Sequence, residues 1–84
     1  MYMKKEIIMA IRCDNRRENA DALQKVLTAF GCSIRMRLGI HETGGVCANE
    51  GLILLHLADH SDEIEKFEAA LNAIEGIRFK TMEI

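Results

Sequence analysis

The sequence predicts an α+β sandwich, with two helices packed on one face of a four-stranded antiparallel sheet. Three observations carry that expectation. Apolar residues switch between strand-like and helix-like spacing in the order βαββαβ. The second half of the chain then repeats the first. Ala20, Leu23, Leu27 and Phe30 match Ile64, Phe67, Leu71 and Ile74 at a constant offset of 44. "IIMAIRCD" aligns with "LILLHLAD" at an offset of 45, and "IRMRL" with "IRFKT" at 43. Finally, no linker or low-complexity segment interrupts the 84 residues, so residues 1–84 read as a single domain with one core.

Each element has a local cause. "KEIIMAIRCD" is dense in β-branched and apolar residues and reads as a strand. The segment from Asn15 to Gly31 has one apolar stripe at helical spacing. Asn15 and Glu18 fit a capping box, and Gly31 fits the left-handed residue that ends a helix. "SIRMRLGI" alternates Ile34, Met36, Leu38 and Ile40 with Arg35, Arg37 and Gly39, as an amphipathic strand does. "LILLHLAD", "SDEIEKFEAALNAIEG" and "IRFKTMEI" repeat strand, helix and strand. Two short βαβ units sharing one sheet, with right-handed crossovers, give a ferredoxin-like fold with strand order 4-1-3-2.

Strand parity assigns faces, because the row under the helices must be apolar. Ile7, Met9, Ile11, Met36, Leu38, Ile53, Leu55, Leu57, Ile77 and Phe79 are expected inward. The opposite row then holds Ile8, Ala10 and Arg12, Arg35 and Arg37, Leu52, Leu54 and His56, and Arg78 and Lys80. An apolar centre with a basic rim suits packing against a second copy through Ile8, Ala10, Leu52, Leu54 and His56, flanked by Arg35 and Arg37. An RNA-binding sheet would need aromatics on that row for base stacking, and it has none. The plainer alternative is a set of half-exposed aliphatics, common on antiparallel sheets.

Composition narrows the function classes. A net charge of −2 argues against a dedicated nucleic-acid binder. Three cysteines, Cys13, Cys32 and Cys47, without C-x-x-C spacing suit a reducing cytoplasm better than a disulfide scaffold. The N-terminal apolar run, Ile7 to Ile11, is too short for a signal peptide or a membrane span. Aromatics are 5% of residues with no Trp, so the core is aliphatic and small, and oligomerisation is expected.

The segment from His41 to Gly51 concentrates polar chemistry. "HETGG" departs from H-E-x-x-H, with Gly45 where the second histidine would stand. His41, Cys47, His56 and His60, with Glu42 or Glu50, do not offer three ligands at zinc-like spacing, so no metal is assigned. Cys47 beside His41 lacks an orienting group or oxyanion hole, so no catalytic residue is assigned either. Neither G-x-G-x-x-G nor a P-loop is present, and no cofactor is expected. What remains unusual is length, since eleven residues connect two strands that a few would join.

"IRMRLGI", "EGLILLHL" and "IEGIRFKTMEI" resemble the ACT-like group of ferredoxin-fold regulatory domains. The closest likeness is to the small stand-alone proteins described as iron-only-hydrogenase system regulators. That resemblance implies a regulatory homodimer or homotetramer without enzymatic activity. It also implies a small effector near the turn after the first strand, often D-x-P-G in ACT domains. Here the turn reads "CDNRREN", with Asp14 present and the Pro and Gly absent. An anionic effector would lie against Asp14, Asn15, Arg16 and Arg17, at the N-terminus of the first helix. A solvated turn is the ordinary reading of those arginines. The two helices are separated by two strands and form no helix-turn-helix, so regulation of transcription would run through a protein partner. A metal or redox sensor using His41 and Cys47, and a structural assembly adaptor, are the alternative functions.

Overall fold

The computed structural model describes residues 5–14, 17–40 and 51–84, with Arg17 and Ile40 placed by their backbone. The elements run β1 (Ile7–Cys13), α1 (Arg17–Ala29), a 3₁₀ turn (Gly31–Ser33), β2 (Ile34–Ile40), β3 (Gly51–Leu57), α2 (Ser61–Asn72) and β4 (Ile77–Glu83). The strands form one antiparallel sheet in the order β2-β3-β1-β4, the order expected from the sequence. Among the described residues, no helix is long and apolar enough to cross a membrane.

The core lies where the two repeats superimpose their apolar stripes. From β1, Ile7, Met9, Ile11 and Cys13 are buried, and from β3, Ile53, Leu55 and Leu57. Leu23 and Leu27 of α1 and Ile64, Phe67 and Leu71 of α2 close over them. Phe30, just beyond α1, stacks on Phe67 with ring centroids 5.1 Å apart, which locks the two helices together. Asp62 and Glu63 sit in the first turn of α2, where the helix dipole favours negative charge. Ala58 donates its backbone N–H to Ser33 at 2.8 Å, joining the ends of β3 and the 3₁₀ turn.

One strand departs from simple alternation. Ile34 pairs with Leu57, but Met36 pairs with His56, so the register shifts by one at a β-bulge and Arg35 has no cross-strand partner. The shift reverses parity. Met36 and Leu38, expected inward, share the outer face with His56 and Leu54, and are 53% and 49% exposed. Arg37, expected on the outer face, moves to the helix side, where its guanidinium donates to Gln24 of α1 at 2.9 Å. The reason is coverage. Arg37 and Gly39 are both exposed, and a Cβ on Gly39 would meet no atom within 4 Å. The helices leave that end of β2 exposed, so an apolar residue there would gain little by facing them.

The end of α1 is a second departure. Gly31 does not take a left-handed conformation but opens the 3₁₀ turn, with Ser33 N–H bonded to Phe30 at 2.9 Å. The proposed Asn15 cap and the His41–Gly51 connection fall outside the described residues, apart from Gly51, the first residue of β3. Replacing Phe67 by Ala should remove about 3–5 kcal/mol, by loss of buried area and of the Phe30 stack. Against the roughly 4–12 kcal/mol available to a chain of this size, that is about a quarter of the stability or more, and urea denaturation should show a correspondingly lower midpoint.

Candidate functional site

The side of the sheet that faces away from the helices is the most distinctive surface of the molecule. Three cross-strand rows build it. Met36, His56, Ile8 and Met82 form one, and Leu38, Leu54, Ala10 and Lys80 the next. The third places Ile40, Leu52, Arg12 and Arg78 in register. Met82 is 54% exposed and Leu52 38%, so apolar surface continues across all four strands. Among the described residues no aromatic side chain stands in these rows.

Charge is distributed unevenly along this face. At the start of β1, Glu6 contacts His56 Nε2 at 2.6 Å, and Glu6 and Ile84 exchange backbone hydrogen bonds of 2.9 Å that extend the β1–β4 ladder. At the far end, Arg12 lies directly opposite Arg78, with Lys80 one row away. A shallow depression of about 370 Å³ lies here, lined by Ala10, Arg12, Leu52, Arg78, Phe79 and Lys80.

A cleft of about 260 Å³ opens around the corner, lined by Arg12, Asp14, Gly76, Ile77 and Arg78. Asp14 is its best-fixed member. Its backbone N–H donates to Gly76 at 2.9 Å, and its carboxylate accepts from Asn19 Nδ2 at 3.0 Å. Gly76 has φ of 75°, and a Cβ there would overlap the Asp14 carboxylate. Glycine is therefore required twice, by the left-handed backbone and by the close approach. From sequence, Arg12 and Arg78 belong to the open row of the sheet, and the register brings both to the Asp14 cleft as well. Asn15 and Arg16 lie outside the described residues, and Arg17 is the first residue of α1.

The remaining candidates are dispersed. Cys13 closes the core end of β1, and burial, with the Asp14 charge adding to it, pushes its thiol up from the ordinary value. That makes it a protonated packing residue at neutral pH. Cys32 is exposed in the 3₁₀ turn. His60 precedes α2, with its side chain exposed and making no capping bond. His41, Glu42, Cys47 and Glu50 lie outside the described residues. Among the described residues no three His, Cys, Asp or Glu side chains converge as a metal site.

With four antiparallel strands in that order and both helices on one side, the architecture is settled. The fold is ferredoxin-like. Solved structures agree. An uncharacterized protein from Thermotoga maritima superposes with a TM-score of 0.83 at 26% identity, covering 96% of this chain and 99% of that one. CPII, a nitrogen regulatory PII-like protein from Thiomonas intermedia K12 bound to ADP, AMP and bicarbonate, gives 0.54 at 9% identity, covering 96% and 93%. A dimeric ferredoxin-like protein from an uncultured marine organism gives 0.53 at 10% identity, covering 95% and 92%. The last two likenesses concern fold alone. No protein-family model matches the chain, and no curated protein matches it significantly.

The Gly76–Asp14 contact generates a direct expectation. Gly76→Ala should cost about 1–2 kcal/mol for the left-handed backbone, plus the displacement of the carboxylate. In an Asp14→Ala background the second part vanishes, so a double-mutant cycle by urea denaturation should show a smaller Gly76→Ala penalty. Equal penalties in both backgrounds would mean that the carboxylate does not rest on Gly76.

Proposed function

We propose that this chain is a non-catalytic, ACT-like regulatory module that works as a homodimer or homotetramer in the cytoplasm. The observation that carries the reading is the open sheet face. Seven residues per strand at about 3.4 Å, over four strands about 4.8 Å apart, give it roughly 24 by 19 Å. Its middle is apolar from β2 to β4, with Met36, Leu38, Leu52 and Met82 each more than a third exposed. A face of this extent falls near the lower end of specific interfaces, which suits micromolar rather than obligate association.

An anionic effector fits the cleft beside this face, where Arg12 and Arg78 supply charge and the Gly76 backbone leaves room. Asp14 there serves as a fixed wall, held by Asn19, and only its outer edge would meet a ligand. The regulatory reading is supported by the occurrence of this fold in a nitrogen regulatory protein, and the self-association by its occurrence in a dimeric one. A link to an iron-only hydrogenase system, with another regulatory protein as partner, follows from the resemblance of "IRMRLGI", "EGLILLHL" and "IEGIRFKTMEI" described above.

Sedimentation velocity between 1 and 100 μM tests the core of the proposal, with concentrations spanning about a hundredfold around the expected Kd. The wild-type chain should associate, and Leu38→Asp, a change at a half-exposed edge position, should weaken association tenfold or more while preserving the fold. A monomer at every concentration would contradict it. For the effector, a thermal-shift series of amino acids, dicarboxylates and phosphate should find one that stabilises. At a hundredfold excess over Kd the gain is about 2.7 kcal/mol, or roughly 10–20 °C. No shift with any of them at millimolar concentration would remove the effector from the proposal.

A further inference from the structure

One polar pair interrupts the apolar part of the open face. His56 stands on the inner strand β3, between Ile8 of β1 on one side and Met36 of β2 on the other. Leu54 lies two residues along the same strand, and Met82 lies beyond Ile8 on β4. Within this surround, Nε2 of His56 is 2.6 Å from Oε2 of Glu6, and the two side chains are 27% and 51% exposed. Glu6 is held at its base, where its backbone exchanges two 2.9 Å hydrogen bonds with Ile84. Among the described residues, Glu6 is the charged group that touches the ring. The neighbouring charge on β2 is Arg35, exposed at the bulge. Lys80 of β4 stands one row further on, with Ala10 between it and Leu54, and Lys5 pairs with Glu83 at 3.5 Å.

We propose that the Glu6–His56 pair makes self-association proton-dependent. The face closes against a second copy with His56 protonated, and opens as the ring loses its proton. The proposal rests on the self-association reading above and adds its regulation. It holds for aligned and orthogonal sheet packing alike, because His56 lies within the apolar rows that a face-to-face contact covers. The bonded oxygen of Glu6 lies beside that ring, so whatever covers His56 covers it too.

In a single copy, water reaches both groups and solvates the ring in either charge state. A second copy removes that water. Glu6 and protonated His56 then form a pair without net charge, joined by a charge-assisted hydrogen bond and flanked by Ile8, Met36 and Leu54. A neutral ring can still donate its Nε2–H to Glu6, but the carboxylate then carries an uncompensated charge into a dry contact. Association therefore takes up protons where histidine side chains in general change charge, between about pH 5 and 8. The dimer is tightest at the acid end of that range and loosens as pH rises through it. Each copy brings one such pair, so a symmetric dimer takes up at most about two protons.

Sedimentation equilibrium at constant ionic strength, from about pH 5.5 to 8.5, tests the switch. The wild-type Kd should rise about tenfold or more across that interval. His56→Gln should hold Kd constant to within about threefold, since the titrating ring is gone. Glu6→Gln, a change of charge at nearly constant shape, should reverse the trend. A neutral partner favours the neutral ring in a dry contact and penalises the protonated one. That reversal separates the pair from general changes in net charge, which act on every variant alike. Circular dichroism should show the wild type and both variants folded at each pH. A wild-type Kd that is flat or falls as pH rises would overturn the switch while leaving self-association standing. So would a His56→Gln variant that keeps the wild-type dependence, or a Glu6→Gln variant with the wild-type trend. A wild-type monomer throughout the range would remove both.

Discussion

The extra residue at Arg35 governs how much of this molecule is left for a partner to cover. Without the bulge, Met36 and Leu38 would lie on the helix side of a stretch of edge strand that the helices leave exposed. With it they extend the apolar rows begun by Ile8, Ala10 and Leu54 by one full strand. The helix side gains Arg37, which is polar enough for a rim and long enough to reach Gln24. One face is thereby closed and the other left apolar. Transfer of exposed aliphatic surface to a dry interface at about 25 cal/mol per Å² is the driving force that such a division stores.

The closed face shows how little is spare. Two helices of thirteen and twelve residues cover a sheet of four seven-residue strands, and the fully buried side chains come almost equally from both repeats. Leu23 and Leu27 of one half correspond to Phe67 and Leu71 of the other, so the core has an approximate two-fold of its own. The two helix-to-strand connections break that symmetry. After α1, Gly31 enters a 3₁₀ turn, whereas after α2, Gly76 adopts positive φ. Among the described residues, it is the second connection that meets Asp14, at the end of β1, and there a carboxylate rests on a glycine. The cleft thus arises where the repeat is imperfect.

That pattern also explains which features were legible in the sequence. Element order, strand order and the inward residues of β1, β3 and both helices followed from periodicity, because burial on one side enforces it. The parity of β2 did not follow. Ile34, Met36, Leu38 and Ile40 alternate without a break in the sequence, while the break in pairing depends on how far the helix layer extends. A bulge leaves no residue signature when apolar alternation continues through it. The difference between Gly31 and Gly76 was hidden for a similar reason. Both follow a helix and precede a strand, and what sets Gly76 apart is its approach to Asp14, far away in the chain. Arg12 and Arg78 were visible as sheet residues, but their direct opposition, and the cleft they share with Asp14, needed the register.

Three methionines report on the central claim, that a second copy covers the open face. Met36 and Met82 are about half exposed there, and Met9 is fully buried beneath the helices. Solvent paramagnetic relaxation of their methyl groups, measured by NMR over a dilution series, reads the face directly. The account predicts that Met36 and Met82 are shielded like Met9 at high concentration and become accessible on dilution, both with the same midpoint. Methyl groups of Met36 and Met82 that stay accessible at every concentration, while Met9 stays shielded, would contradict it.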